Sequence, residues 1–135
     1  MSNQVFSSRL YKLRTVLSTQ RLDGIFITNL TSIRYICGFT GSAASCLITQ
    51  DDSYFISDGR YDVQSGEQVQ NMERFIDFGP HISIVAKNNL IQNGLNLAFE
   101  GDHTSVSQYR AMTDTFPKVN WKSTSMPAPY THLTR

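Results

Sequence analysis

Cys46-Leu47-Ile48-Thr49-Gln50-Asp51-Asp52-Ser53-Tyr54-Phe55-Ile56-Ser57 is the stretch on which the fold turns. Two apolar runs rich in β-branched and aromatic residues flank a polar turn of four residues, which is the pattern of an antiparallel hairpin. Upstream, Phe6, Leu10, Leu13, Val16 and Leu17 recur at helical spacing, with Arg9, Lys12 and Arg14 read as the solvated side of that helix. Leu22-Asp23-Gly24 breaks it, and Ile25-Phe26-Ile27-Thr28 has the continuous apolar character of a buried strand. A short helix around 32–36 and an irregular loop then lead into the hairpin. Downstream, helix and strand alternate: a helix over 60–71, a strand over 75–78 closed by Gly79-Pro80, a helix over 82–91, a strand over 95–99, a helix over 105–116 stopped by Pro117, and a last strand over 119–122. Alternation predicts parallel strands with crossover helices, and the hairpin reverses one of them. The expected class is α/β: a three-layer α/β/α domain on a mixed, mostly parallel sheet of five to six strands.

A length of 135 residues suits one domain. A chain of this size buries about two thirds of the surface its unfolded form exposes, and 40% hydrophobic residues can fill that interior. The domain is expected over 1–125, with 126–135, where Pro127 and Pro129 flank Ala128, as a linker. A formal net charge of +1 creates no global field for nucleic acid or anionic lipid, so neither is expected as a partner. No run approaches the roughly 20 apolar residues needed to span a bilayer. Arg9, Lys12 and Arg14 interrupt any signal-peptide core, and Cys37 and Cys46 lack both disulfide-scaffold density and C-x-x-C spacing. The expected compartment is the cytoplasm, with both thiols reduced and buried.

Ligands of open α/β sheets bind beyond the carboxyl ends of the strands, which draws attention to Asn29, Asp58, Arg60, Glu100 and Asp102. Asp58, Glu100 and Asp102 together would suit a divalent cation and phosphoryl transfer, the chemistry of a stand-alone nuclease or phosphohydrolase. Against that stands Arg60, two residues from Asp58 and able to pair with it, and the frequent use of carboxylates as helix caps. His81, His103 and His132 have no ligand spacing. Gly41-Ser42-Ala43-Ala44-Ser45 lacks the second glycine of a nucleophile elbow, and Gly38-Phe39-Thr40-Gly41 lacks the third glycine and lysine of a phosphate loop. No catalytic and no metal-ligating residue is therefore expected, and a pure interaction module docking through residues 29–42 is a further alternative.

The segment Asn29-Leu-Thr-Ser-Ile-Arg-Tyr-Ile-Cys-Gly-Phe-Thr-Gly-Ser42 resembles the first-strand loop of the amino-terminal domain of the creatinase, prolidase and aminopeptidase P family. Ser57-Asp58-Gly59-Arg60-Tyr61, followed by Gln64 and Gln68, and Ala98-Phe99-Glu100-Gly101-Asp102 are similar to two further family segments, in matching order and spacing. The resemblance implies a ribonuclease-H-like domain that precedes a larger catalytic domain in Xaa-Pro aminopeptidases and Xaa-Pro dipeptidases. It implies that two divalent metals, manganese, cobalt or zinc, are held by that second domain, which hydrolyses the bond before proline. This chain alone is then expected to be inactive. Its implied partners are the C-terminal catalytic domain, a second subunit in a homodimer, and a peptide substrate with proline in second position. Carried over to this sequence, the substrate-cleft or interface candidates are Asn29, Arg34, Tyr35, Phe39, Asp58, Arg60 and Tyr61. Arg34 is the one suited to a carboxylate, whereas Tyr35 and Phe39 suit packing equally well, and Asp58 with Arg60 suits an internal ion pair.

Overall fold

The computed structural model describes residues 3–124. The opening helical pattern forms α1 (Asn3–Thr19), and the apolar run after it forms β1 (Gly24–Ile27), buried along its whole length. Then come α2 (Leu30–Cys37), the hairpin strands β2 (Ser45–Thr49) and β3 (Ser53–Ser57), and a 3-10 turn (Gly59–Tyr61) running into α3 (Asp62–Gln68). Next are β4 (Glu73–Ile76), α4 (His81–Lys87), β5 (Asn96–Glu100), α5 (Val106–Thr115) and β6 (Asn120–Thr124). The expected linker over 126–135 lies outside the described residues.

The six strands make one sheet in the order β4-β3-β2-β1-β5-β6. β2 runs antiparallel to β1 and β3, while the pairs β3–β4, β1–β5 and β5–β6 are parallel. One reversed strand is what the hairpin demanded, and the mixed, mostly parallel sheet follows. Five strands therefore end at one edge of the sheet, and β2 starts there.

Successive strand residues point to opposite faces. Ile25, Ile27, Cys46, Ile48, Phe55 and Ala98 meet Leu10, Leu13 and Leu17 of α1 and Ile33 and Ile36 of α2 on one side. Phe26, Leu47, Ile56, Leu97 and Phe99 meet Ile82, Ile84 and Val85 of α4 and Met112 of α5 on the other. Two helical layers thus cover the sheet.

Several expectations change in three dimensions. Arg9 and Arg14 are not simply solvated. Arg14 donates to Thr49 O at 2.7 Å, Asp52 O at 2.9 Å and Ser53 Oγ at 2.7 Å, tying α1 to the hairpin turn, and Arg9 donates to Tyr35 O at 2.7 Å. The strand expected over 75–78 is β4, two residues earlier at both ends. Just past β4, Asp77 N still donates to Ser57 O at 3.1 Å, and its carboxylate accepts from Phe78 N at 2.8 Å and from Lys87 Nζ at 2.9 Å. Phe78 is left 89% exposed. The helix expected over 60–71 divides into the 3-10 turn and α3, with Asp58 capping the turn. α4 stops at Lys87 because Asn89 takes a left-handed φ of 54°, so Leu90 and Ile91 reach the core from a loop.

Candidate functional site

At the carboxyl edge, a buried carboxylate from β5 organises the turn that follows β1. Glu100 Oε1 accepts from the backbone N–H of Thr28 at 2.8 Å and of Asn29 at 2.9 Å, and Oε2 accepts from the Ser32 hydroxyl at 2.9 Å. Asn29 caps α2 by accepting from Thr31 N at 3.0 Å. Hydrogen bonds to a charged acceptor are about twice as strong as neutral ones, so this turn is held firmly. Because α2 buries Ser32, Ile33, Ile36 and Cys37, its Arg34 is carried outward. Gly38 closes the helix at φ 81°, where a Cβ would meet Phe6 Cζ at 2.8 Å.

The loop after α2 is fixed from the other flank. Phe39 is 1% exposed and packs edge-on to Phe55 at 4.9 Å and to Tyr61 at 5.4 Å. Thr40 N donates to Gln68 Oε1 at 3.0 Å, while the Gln64 and Gln68 amides donate to Thr40 Oγ1 at 3.1 and 3.0 Å. The Ser42 and Tyr61 hydroxyls are hydrogen bonded to each other. That bond holds the Tyr61 phenol below its ordinary value. Asp58 accepts from Arg60 N at 3.0 Å, Nε at 2.9 Å and Nη2 at 2.9 Å, and this pairing holds its carboxyl below the usual range.

The candidates taken from the sequence therefore separate by role. Asn29 is a helix cap, Phe39 is core, and Tyr61 supports Phe39 and Ser42. Phe39 as a substrate-contacting residue is corrected, because a ring this deeply buried reaches neither surface cleft. Asp58 and Arg60 engage each other. Arg34 stands out: its guanidinium is exposed and has no hydrogen-bond or ion-pair partner among the described residues. It lines a cleft of 630 Å3 together with Arg9, Thr31, Tyr35, Glu67 and Gln68. Arg9 stacks over the Tyr35 ring at 4.0 Å, which fixes one wall of that cleft.

A second cleft of 420 Å3 lies at the same edge on the opposite side of the sheet, between α4 and α5. There Ser45, 3% exposed at the start of β2, is hydrogen bonded to His81 Nδ1 at 2.6 Å. Burial lowers the His81 pKa from its ordinary 6.5, with the Asp58 charge opposing. In sequence His81 showed no ligand spacing, and in the structure it is the first residue of α4, turned toward Ser45. It follows the end of β4, so the rule that ligands gather past strand ends would have found it.

The three carboxylates of the nuclease alternative are not assembled. Asp58 is paired with Arg60, Glu100 is committed to the turn after β1, and the described residues hold no group of three or more His, Cys, Asp or Glu able to bind a metal ion. Cys37 and Cys46 are buried free thiols, and burial pushes the Cys46 thiol well above its ordinary 9.0. No helix among the described residues is long and apolar enough to cross a membrane.

A sheet with one reversed strand, helices on both sides and a firmly capped loop at its carboxyl edge defines a three-layer α/β/α domain. The sequence profile of the Creatinase/Prolidase N-terminal domain matches residues 9–128, and the chain belongs to that family. It is 34% identical over 102 residues to an uncharacterized peptidase of Bacillus subtilis, YqhT, covering 75% of this chain and 29% of that relative. The chain thus spans under a third of that relative's length. Among solved structures, a creatinase/prolidase-like N-terminal domain from Corynebacterium diphtheriae aligns with a TM-score of 0.79 at 31% identity, covering 89% of this chain and 98% of that one. An Xaa-Pro dipeptidase from Bacillus anthracis aligns with a TM-score of 0.80 at 32% identity, covering 89% of this chain and 34% of that chain.

Proposed function

We propose that this chain serves as the non-catalytic N-terminal domain of a proline-specific metallopeptidase, shaping the substrate cleft and the subunit contacts. The observation that carries the reading is the unpaired Arg34 guanidinium on a helix whose start is clamped by Glu100. A rigidly mounted, uncommitted arginine suits bidentate capture of a carboxylate, from a peptide terminus or from an adjoining protein surface. The parent enzyme hydrolyses the bond preceding proline, works in the cytoplasm as a homodimer, and holds two divalent metals in a following C-terminal domain. Hydrolysis needs several ligands converging on the metals to activate water, and the described residues present no such set.

Two measurements test this. The purified 135-residue chain, supplied with manganese, is expected to leave Xaa-Pro dipeptides and tripeptides intact. Metal-dependent turnover by this chain overturns the non-catalytic reading. In a full-length enzyme carrying the domain, Arg34→Ala is expected to raise KM or weaken subunit association by roughly tenfold, the scale of one lost charge-assisted hydrogen bond. Unchanged kinetics and association would remove Arg34 from the cleft.

A further inference from the structure

We propose that Arg9 is a positioning residue for Arg34: from α1 it grips the far end of α2, so that the Arg34 guanidinium is presented to its cleft in a fixed direction. This role rests on the proposed reading of Arg34 and adds the residue that mounts it. α2 has eight residues, and helices shorter than about 12–15 residues are marginal in water on their own. Its order is therefore imposed from outside. At the start this is done by Glu100 and Asn29. At the far end, the last four carbonyls of a helix lack partners within it. The Gly38 N–H donates to Arg34 O at 2.8 Å, and Arg9 Nη1 donates to Tyr35 O at 2.7 Å from 26 residues away. α2 thus has a carboxylate at its start and a guanidinium at its end, each of the sign that the helix dipole favours.

The carbonyl that Arg9 holds belongs to the residue next to Arg34, so the grip acts one position from the side chain it orients. A second contact comes from the flat face of the guanidinium, which lies over the Tyr35 ring at 4.0 Å and near the Phe6 ring at 5.6 Å. Phe6 in turn fits against Gly38, the residue that closes α2. A bond to the backbone and a stack on the ring together resist both sliding and rotation of α2. Arg34 itself makes no hydrogen bond or ion pair among the described residues, so its direction is set by the helix that carries it. Arg9 also lines the cleft, and lysine separates its two conceivable roles. A lysine keeps the positive charge but not the planar fork that stacks and donates at once. An effect of charge survives Arg9→Lys, and an effect of positioning does not.

The test compares Arg9→Lys with Arg34→Ala and with the double variant, in a full-length enzyme carrying the domain. Arg34→Ala sets the scale, in KM or in subunit association, whichever it moves. Arg9→Lys is expected to move the same quantity several-fold in the same direction at unchanged kcat, and the double variant to be no worse than Arg34→Ala alone. A merely structural loss lowers the fraction of folded enzyme instead, so kcat falls at unchanged KM. In the 135-residue chain, 15N relaxation is expected to show a lower order parameter at the Arg34 Nε–H in Arg9→Lys than in the parent. Wild-type behaviour of Arg9→Lys beside an impaired Arg34→Ala, a fall in kcat alone, additive losses in the double variant, or an unchanged order parameter overturns the positioning role and leaves the reading of Arg34 standing. An Arg34→Ala variant that moves neither KM nor association overturns that reading and this role with it. Should Arg9→Lys fail to fold, Arg9→Gln, which keeps a donor for Tyr35 O without the planar cation, is judged by the same outcomes.

Discussion

On the side of the sheet covered by α1 and α2, Leu13, Leu17, Ile33 and Ile36 are all at 0% exposure, and Phe39 closes the edge at 1%. On the side covered by α4 and α5, Ile82, Ile91 and Phe99 retain 7%, 8% and 9%, and a cleft opens between the two helices. The first side has its own cleft around Arg34, but it is braced by side chains that bridge distant segments: Arg14 to the hairpin turn, Arg9 to α2, and Gln64 and Gln68 to Thr40. Across the cleft of the second side, the bridge among the described residues is Ser45 to His81. The two sides thus differ in bracing: the helices beside the Arg34 cleft are tied to distant segments at several points, those flanking the other cleft at fewer.

The largest effect expected from this contrast is Phe39→Ala, at roughly 3–5 kcal/mol of unfolding free energy, because a fully enclosed ring leaves a cavity that cannot collapse. Ile82→Ala beside the cleft is expected near the bottom of the range for its type, about 2 kcal/mol. Urea denaturation of the two variants measures the difference, and equal losses would erase the contrast. Next is Glu100→Gln, expected to cost about 1–3 kcal/mol and to speed hydrogen exchange at the start of α2, since a neutral amide cannot accept all three bonds. Protection in α2 unchanged by this substitution would show that the cap does not depend on the carboxylate.

The pH dependence sharpens the comparison on the cleft side. Burial lowers the His81 pKa from 6.5, so the unfolded chain takes up its proton first as the pH falls. The sign follows from linkage: the contribution is complete above about pH 6.5 and is lost on descending through the lower folded value. His81→Asn retains an acceptor for the Ser45 hydroxyl and is expected to flatten that part of the stability profile. An unaltered acid slope would mean that other groups govern it. The smallest effect is expected for Phe78→Ser, within about 0.5 kcal/mol, because its ring is already in solvent. A greater loss would show that Phe78 packs in solution.

Much of the scaffold was legible in local pattern. The polar turn between two β-branched runs announced the reversed strand, the short helix expected around 32–36 is the middle of α2, and the second-half alternation gave the parallel pairs. The errors arose at element ends, where β4 stops before Asp77 and where the left-handed backbone of Asn89 follows α4. For the site, position past a strand end picked out Asn29, Asp58 and Glu100, and close spacing gave the Asp58–Arg60 pair, but not the bonds that Asn29 and Glu100 make. Glu100 reads equally well as a metal ligand until its bonds to Thr28 and Asn29 are seen, 72 and 71 residues away in the chain.

Hydrophobic periodicity and turn chemistry act over a few residues, so the sequence by itself determined the order of elements, the reversed strand and the family to which the segments belong. Tertiary structure alone decided that Phe39 is core while Arg34 is exposed and unpaired among the described residues, that Arg14 secures the hairpin, and that Ser45 and His81 meet across 36 residues. Burial and hydrogen-bond partnership are properties of chain segments brought together by packing, and no local pattern encodes which distant group will arrive.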